Sequence, residues 1–291
     1  MDQTLISPEQ LNVWMKGGES LVVIDTRSPE EYAKGHIPGA VNIRDVFTYL
    51  ANSDPEGIAT MQQTFADAFG KAGLSGKERA VVYEDAMNTG YGQSCRGYYL
   101  LKMLGYPFAS ILHGGLRAWV GAGFPLSTET PTTNPAAFPF EADPSKVMVT
   151  KEEMLAALDD PSIVKLDVRD LDEWMGESSS PYGKDFCPRM GRLPGATWIE
   201  WYQMMDAEAN PPVFRPKEAM RAAFEKVGIA PGSTVYVYCF KGARASNTFV
   251  ALREAGVKNV KIYFGSWNEW SRDFSLPIEE GAPQSMQPVA A

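Results

Sequence analysis

A chain of 291 residues exceeds the length at which a single hydrophobic core usually stops growing, so two cores are expected. Its 44% hydrophobic and 22% charged residues are those of an ordinary folded protein, and a formal net charge of -9 argues against nucleic acid or an anionic membrane as the main partner. Three cysteines (Cys95, Cys187, Cys239) cannot form a disulfide framework, none stands at metal-ligand spacing from another, and two histidines leave little for a His-rich site, so no metal or cofactor is expected.

Residues 1–12 have neither a basic start nor an apolar run, and no stretch of about 18 apolar residues follows, which points to a cytoplasmic protein. In chain order, the first predicted strand is Leu21–Asp25, ending in Asp25-x-Arg27, with Glu31-Tyr32 and then Gly35-His-Ile-Pro38-Gly-Ala40 behind it. The strand Ala80–Tyr83 leads into Glu84, and a helical pattern over Tyr98–Leu104 stops at Gly105, as a left-handed cap requires. His113-Gly-Gly-Leu-Arg-Ala-Trp119 closes this half. Ser127 to Asp143, rich in Thr, Pro and Ala, has no periodicity, and residues 128–145 read as a linker.

The same landmarks then return in the same order: Ile163–Asp167 with Asp167-x-Arg169, Glu173-Trp174, Gly191-Arg-Leu-Pro194-Gly-Ala196, Val235–Tyr238, a helical pattern over Thr248–Ala255 ending at Gly256, and Phe264-Gly-Ser-Trp-Asn-Glu-Trp270. The chain is therefore two copies of one fold, spanning 1–127 and 146–278, with a frayed tail at 279–291. Strands alternating with helices imply α/β architecture, each copy an open, mostly parallel sheet with helices on both faces and its site at the carboxyl ends of the strands.

Where the copies differ, chemistry is expected. The residue leaving the matched strand is Glu84 in the first copy and Cys239 in the second. Cys239-Phe240-Lys241-Gly242-Ala243-Arg244 runs from a strand end into a predicted helix. There, converging loop N–H groups, a helix N-terminus and the charges of Lys241 and Arg244 all favour a thiolate. A cysteine after an apolar strand is more commonly a small core residue. A core position, however, hardly needs a glycine and two cations within five residues. Cys95 opens the first copy's helix and Cys187 lies in the turn-rich Gly176–Arg192 loop, so both read as bystanders.

These residues resemble the rhodanese superfamily over nearly the whole chain, and specifically tandem-domain sulfurtransferases with an inactive first copy, here marked by Glu84, and an active second one. The resemblance implies that Cys239 takes the sulfane sulfur of a small anionic donor, holds it as a persulfide cradled by Phe240, Gly242 and Ala243, and passes it to cyanide, a thiol or a protein acceptor. Lys241, Arg244 and, by a looser correspondence, Arg189 are the expected donor contacts, while Asp167 and Arg169 are expected to brace the sheet end. Mercaptopyruvate-type enzymes carry a carboxylate-binding arginine where this chain has Glu173, which favours thiosulfate as donor. A 3-mercaptopyruvate sulfurtransferase and a dedicated persulfide carrier are the alternatives. A phosphatase of the same fold is disfavoured, because four residues separate Cys239 from Arg244, one fewer than its phosphate cradle requires.

Overall fold

The computed structural model describes residues 3–140 and 143–283. The first half supplies β1 (Leu5–Ile6), α1 (Pro8–Gly17), β2 (Leu21–Asp25), α2 (Pro29–Lys34), β3 (Val41–Asn42), α3 (Asp45–Thr48), α4 (Pro55–Lys71), β4 (Arg79–Tyr83), α5 (Gln93–Met103), β5 (Ala109–Leu112) and α6 (Gly115–Gly121). Its five strands pair in parallel in the order β1-β5-β4-β2-β3. The second half supplies β6 (Met148–Val149), α7 (Lys151–Ala157), β7 (Ile163–Asp167), α8 (Leu171–Trp174), β8 (Thr197–Trp198), β9 (Met205–Asp206), β10 (Val213–Phe214), α9 (Lys217–Lys226), β11 (Thr234–Tyr238), α10 (Ala243–Glu254), β12 (Asn259–Tyr263) and α11 (Ser266–Trp270). Its parallel sheet runs β6-β12-β11-β7-β8, the same order, and β9 and β10 form a separate antiparallel pair.

Local sequence explains these elements. The inner strands are short apolar runs, as strands covered on both faces must be. Ser7 caps α1 by accepting from Gln10 N–H, with Pro8 in the first turn, and Thr150 and Glu153 form a reciprocal capping box at α7. Gly105 and Gly256 take positive φ (76° and 98°) just after α5 and α10. Each sheet has its own core, one around Leu11, Val23, Val81 and Trp119, the other around Met154, Leu193, Trp267 and Trp270.

Within each copy the Asp-x-Arg landmark forms the same brace. Arg27 holds both oxygens of Asp25 and donates through Nη2 to Gly35 O at 2.7 Å, while Tyr83 OH donates to Asp25 Oδ2 at 2.6 Å. Arg169, Asp167, Gly191 O and Tyr238 OH repeat those contacts with the same two distances. The ends of two neighbouring strands, β2 with β4 and β7 with β11, and the Gly-x-x-Pro-Gly-Ala turn are thus tied together just behind the position of Glu84 or Cys239.

The structure corrects the expected boundaries in three ways. The two compact units exchange segments: the first takes residues up to Tyr49, Ile58–Val147 and Met205–Arg215, and the second takes Leu50–Gly57, Met148–Met204 and Pro216 onward. Ser53 accordingly donates through N–H and Oγ to Glu269 at 2.8 Å each, and Phe214 N–H donates to His113 Nε2 at 3.0 Å. The expected linker 128–145 is not a bare tether, since Ala136 N–H donates to Gly70 O and the Phe138 ring packs on Phe69 and Tyr106. Nor is the tail frayed from 279: Glu279 and Arg192 exchange backbone hydrogen bonds, and Arg192 Nη1 donates to Gly281 O at 2.6 Å. Residues 284–291 of that tail lie outside the described residues. Among the described residues no helix is long and apolar enough to cross a membrane.

Candidate active site

Cys239 follows β11, the middle strand of the second sheet, and so leaves the sheet at its carboxyl edge. Its carbonyl accepts Trp267 N–H at 3.0 Å, the next carbonyl, of Phe240, accepts Asn268 N–H at 2.9 Å, and its own N–H donates to Ser266 Oγ at 3.2 Å. The chain then turns back at Gly242, whose φ of 90° and proximity to Phe264 exclude a side chain, since a Cβ there would lie 2.7 Å from that ring. This turn aims Gly242 N–H at Cys239 Sγ, 3.1 Å away, and α10 begins at the next residue, Ala243. Cys239 is 1% exposed. Of the expected cradle residues, Gly242 directs its N–H at the sulfur just ahead of the N-terminus of α10, an arrangement that favours negative charge there, while Phe240 and Ala243 stand beside it in the same loop.

The two cations of the loop have different surroundings. Lys241 is buried, with Nζ 5.4 Å from the centroid of the Tyr182 ring. Arg244 is gripped through both Nη atoms by Glu173, at 2.5 and 3.0 Å, and Nη1 is also 3.1 Å from Asp170. Burial works against the Arg244 charge, but Glu173, Cys239 and Asp170 together outweigh it and hold the guanidinium protonated beyond its ordinary range. The structure thus corrects the expectation that Arg244 meets a donor directly, because its bidentate face is committed to Glu173. The carboxylates of Asp170, Asp172 and Glu173 converge to within 4.8 Å, but Arg244 already supplies counter-charge to two of them.

Arg189 is also corrected. Its Nε donates to Ser271 O (2.9 Å), Nη1 to Leu276 O (2.8 Å), and Nη2 to Trp270 O (2.7 Å) and Asp273 O (2.6 Å). Four of its five N–H groups are thereby fixed on carbonyls at and beyond the C-terminus of α11, so it acts as a helix-end clamp rather than an anion contact.

Segment 176–192 forms a wall beside the loop. Tyr182 and Phe186 pack on Phe240, with ring centroids 5.1 and 6.4 Å away, while Phe186 O accepts from Asn268 Nδ2 and Arg189 O from Trp267 Nε1. Cys187 is buried in this wall, and burial pushes its thiol up to about 11. Cys95 is buried within α5.

In the first copy Glu84 takes the corresponding place after β4 and bends back to the N-terminus of α5, where its Oε1 accepts Ser94 N–H (3.2 Å) and Ser94 Oγ (2.6 Å). Burial pushes this carboxyl up to about 7, and its Oε2 has no hydrogen-bond partner among the described residues. A carboxylate thus occupies the loop that holds sulfur in the other copy.

Three residues of the site escaped the sequence reading as contributors: Glu173, Tyr182 and Ser266. Glu173 stands out in sequence as a conspicuous acid six residues after Asp167, but its partner lies 71 residues away. Ser266 carries a signal in the repeat itself, since the first copy has Gly115 at the matching place.

A family profile described as the rhodanese-like domain matches residues 7–122 and 150–273. The chain belongs to the rhodanese-like family, as a tandem-domain sulfurtransferase. It is similar to the thiosulfate sulfurtransferase of Azotobacter vinelandii, 29% identical over 277 residues covering 94% of this chain and 96% of that protein. It is also similar to the sulfur carrier protein TtuD of Thermus thermophilus, 28% identical over 259 residues covering 86% and 87%. Among solved structures it resembles the anaerobic ergothioneine biosynthesis enzyme of Chlorobium limicola in complex with trimethyl histidine, with a TM-score of 0.82 and 25% identity over 96% of this chain and 70% of that one.

Proposed function

We propose that the protein moves the sulfane sulfur of thiosulfate to cyanide or a thiol through a persulfide on Cys239. The thiolate attacks the outer sulfur of thiosulfate, a sulfur–sulfur bond forms to Sγ, and the sulfur–sulfur bond of the donor breaks with its electron pair leaving on sulfite. The acceptor then attacks the terminal sulfur of the persulfide and releases the Cys239 thiolate. The attacking form is the thiolate, and Gly242 N–H stands 3.1 Å from Sγ to meet its negative charge.

The observation that carries the donor choice is the pairing of Glu173 with Arg244. A carboxylate donor such as 3-mercaptopyruvate calls for a bidentate arginine, and this one is occupied, whereas Lys241 is a point charge suited to a compact dianion and to the sulfite it becomes. The similarity to a thiosulfate sulfurtransferase over nearly the full length supports the same donor. The test is kcat/KM for both donors with cyanide as acceptor: thiosulfate should be the better substrate, and a preference for 3-mercaptopyruvate would overturn the assignment. A dedicated persulfide carrier is the second reading, favoured by the enclosure of Cys239 and by the similarity to a sulfur carrier protein. Such a carrier would load with sulfur yet turn over poorly with cyanide.

A further inference from the structure

The exit from the middle strand is clasped in the same way in both copies, but by different residues. In the first, Leu116 N–H donates to Glu84 O at 2.8 Å and Arg117 N–H to Asp85 O at 3.0 Å; in the second, Trp267 and Asn268 make the matching bonds to Cys239 O and Phe240 O. The residue just before these donors adopts a left-handed backbone, with φ of 63° at Gly115 and 56° at Ser266. Glycine suits that conformation, and a Cβ at Gly115 would collide with the carbonyl oxygens of Glu84 and Asp85. The second copy nevertheless carries a side chain there, wholly buried. Strain at a buried position persists only where its surroundings over-determine it, and it gathers at functional sites. What holds Ser266 is its hydroxyl, which donates to Tyr263 O at 2.8 Å and accepts Cys239 N–H at 3.2 Å.

We propose that Ser266 is a positioning residue for the nucleophile. Its hydroxyl fixes the peptide plane entering Cys239 while Trp267 N–H fixes the plane leaving it. With both planes held, the Cα–Cβ direction is held as well, and Sγ is presented to Gly242 N–H. The first copy, which has no nucleophile to aim, uses glycine and avoids the strain. This inference rests on Cys239 being the sulfur carrier.

The test compares wild type, Ser266→Gly and Ser266→Ala by thermal unfolding, by the single-turnover rate of Cys239 persulfide formation at saturating thiosulfate, and by the rate of Cys239 alkylation with iodoacetamide. Both variants lose the hydroxyl, but only glycine also relieves the strain. Both should load sulfur about tenfold more slowly or worse, since small misplacements of a reacting atom carry losses of that order, with the KM for thiosulfate little changed. Ser266→Gly should melt above Ser266→Ala. A purely structural role would make activity follow melting temperature and leave Ser266→Gly the more active variant, and that ranking, or wild-type loading by Ser266→Gly, would overturn the proposal. Wild-type Cys239 that alkylates but does not load from thiosulfate would instead overturn the donor assignment. The alkylation rates would then decide the role of Ser266: slowing in both variants supports it, and a wild-type rate in Ser266→Gly rejects it.

Discussion

Glu173 holds Arg244 by both Nη atoms, at 2.5 and 3.0 Å, in a buried ion pair directly beside the loop that carries Cys239. Breaking one side of such a pair leaves a buried charge without its partner, which costs about 3–5 kcal/mol, whereas replacing both members with apolar residues is often neutral. Glu173→Leu should therefore destabilise the second unit by an amount near that range, reduced by the remaining contact with Asp170, and the Glu173→Leu, Arg244→Met double variant should recover most of the loss. Chemical unfolding of the four proteins of this cycle gives the coupling. Additive effects of the two substitutions would show that the pair does not act as a unit.

Lys241, buried with its Nζ over the Tyr182 ring, is the loop cation proposed to meet the donor. Losing one charge-assisted contact worth about 1.5–3 kcal/mol corresponds to roughly tenfold or more in rate. Lys241→Ala should lower kcat/KM for thiosulfate by at least about tenfold. Turnover indifferent to this change would leave Lys241 as no more than a packing partner of Tyr182.

Glu84 makes the first copy sensitive to pH. Its carboxyl is raised from 4.5 to about 7 by burial in the folded protein, so the folded state binds this proton more tightly than the unfolded chain does. The stabilisation from that proton is fully present below about pH 4.5 and is lost as pH rises through about 7. Glu84→Gln removes the dependence. It should be more stable than wild type above pH 7, by up to about 3 kcal/mol, with the gap closing toward pH 4.5. Melting curves of both proteins across that range check this, and a constant gap would contradict it.

Replacing the carboxylate with a thiol should not create a second active site. Four more residues separate Glu84 from the glycine after its helix than separate Cys239 from its own, and in the structure the loop ahead of α5, residues 85–92, is five residues longer than residues 240–242 ahead of α10. A Glu84→Cys, Cys239→Ser double variant should show no turnover with thiosulfate and cyanide. Measurable turnover would mean that the first loop can close around a sulfur after all.

Sequence revealed most of what is local. The strand ends at Asp25 and Asp167, the glycine caps at Gly105 and Gly256 and the break between Tyr238 and α10 are each set by a few neighbouring residues, and the repeat showed that both copies share them. It could not reveal what distant residues do to a charge. Arg244 from its place in the loop and Arg189 through the family resemblance read as anion contacts, but Glu173 neutralises one and the carbonyls of residues 270–276 hold the other. The exchange of Leu50–Gly57 and Met205–Arg215 between units was invisible for the same reason. A period in the sequence says that two copies exist, not which copy a connecting segment packs on.

The most direct test of sulfur transfer through Cys239 is mass spectrometry of protein treated with thiosulfate, freed of excess donor and digested without reductant. The expected result is about 32 Da added to the peptide containing Cys239, removed by cyanide and absent from Cys239→Ser, with the peptides of Cys95 and Cys187 unchanged. Added sulfur on Cys187 or Cys95, or full sulfur transfer by Cys239→Ser, would contradict it.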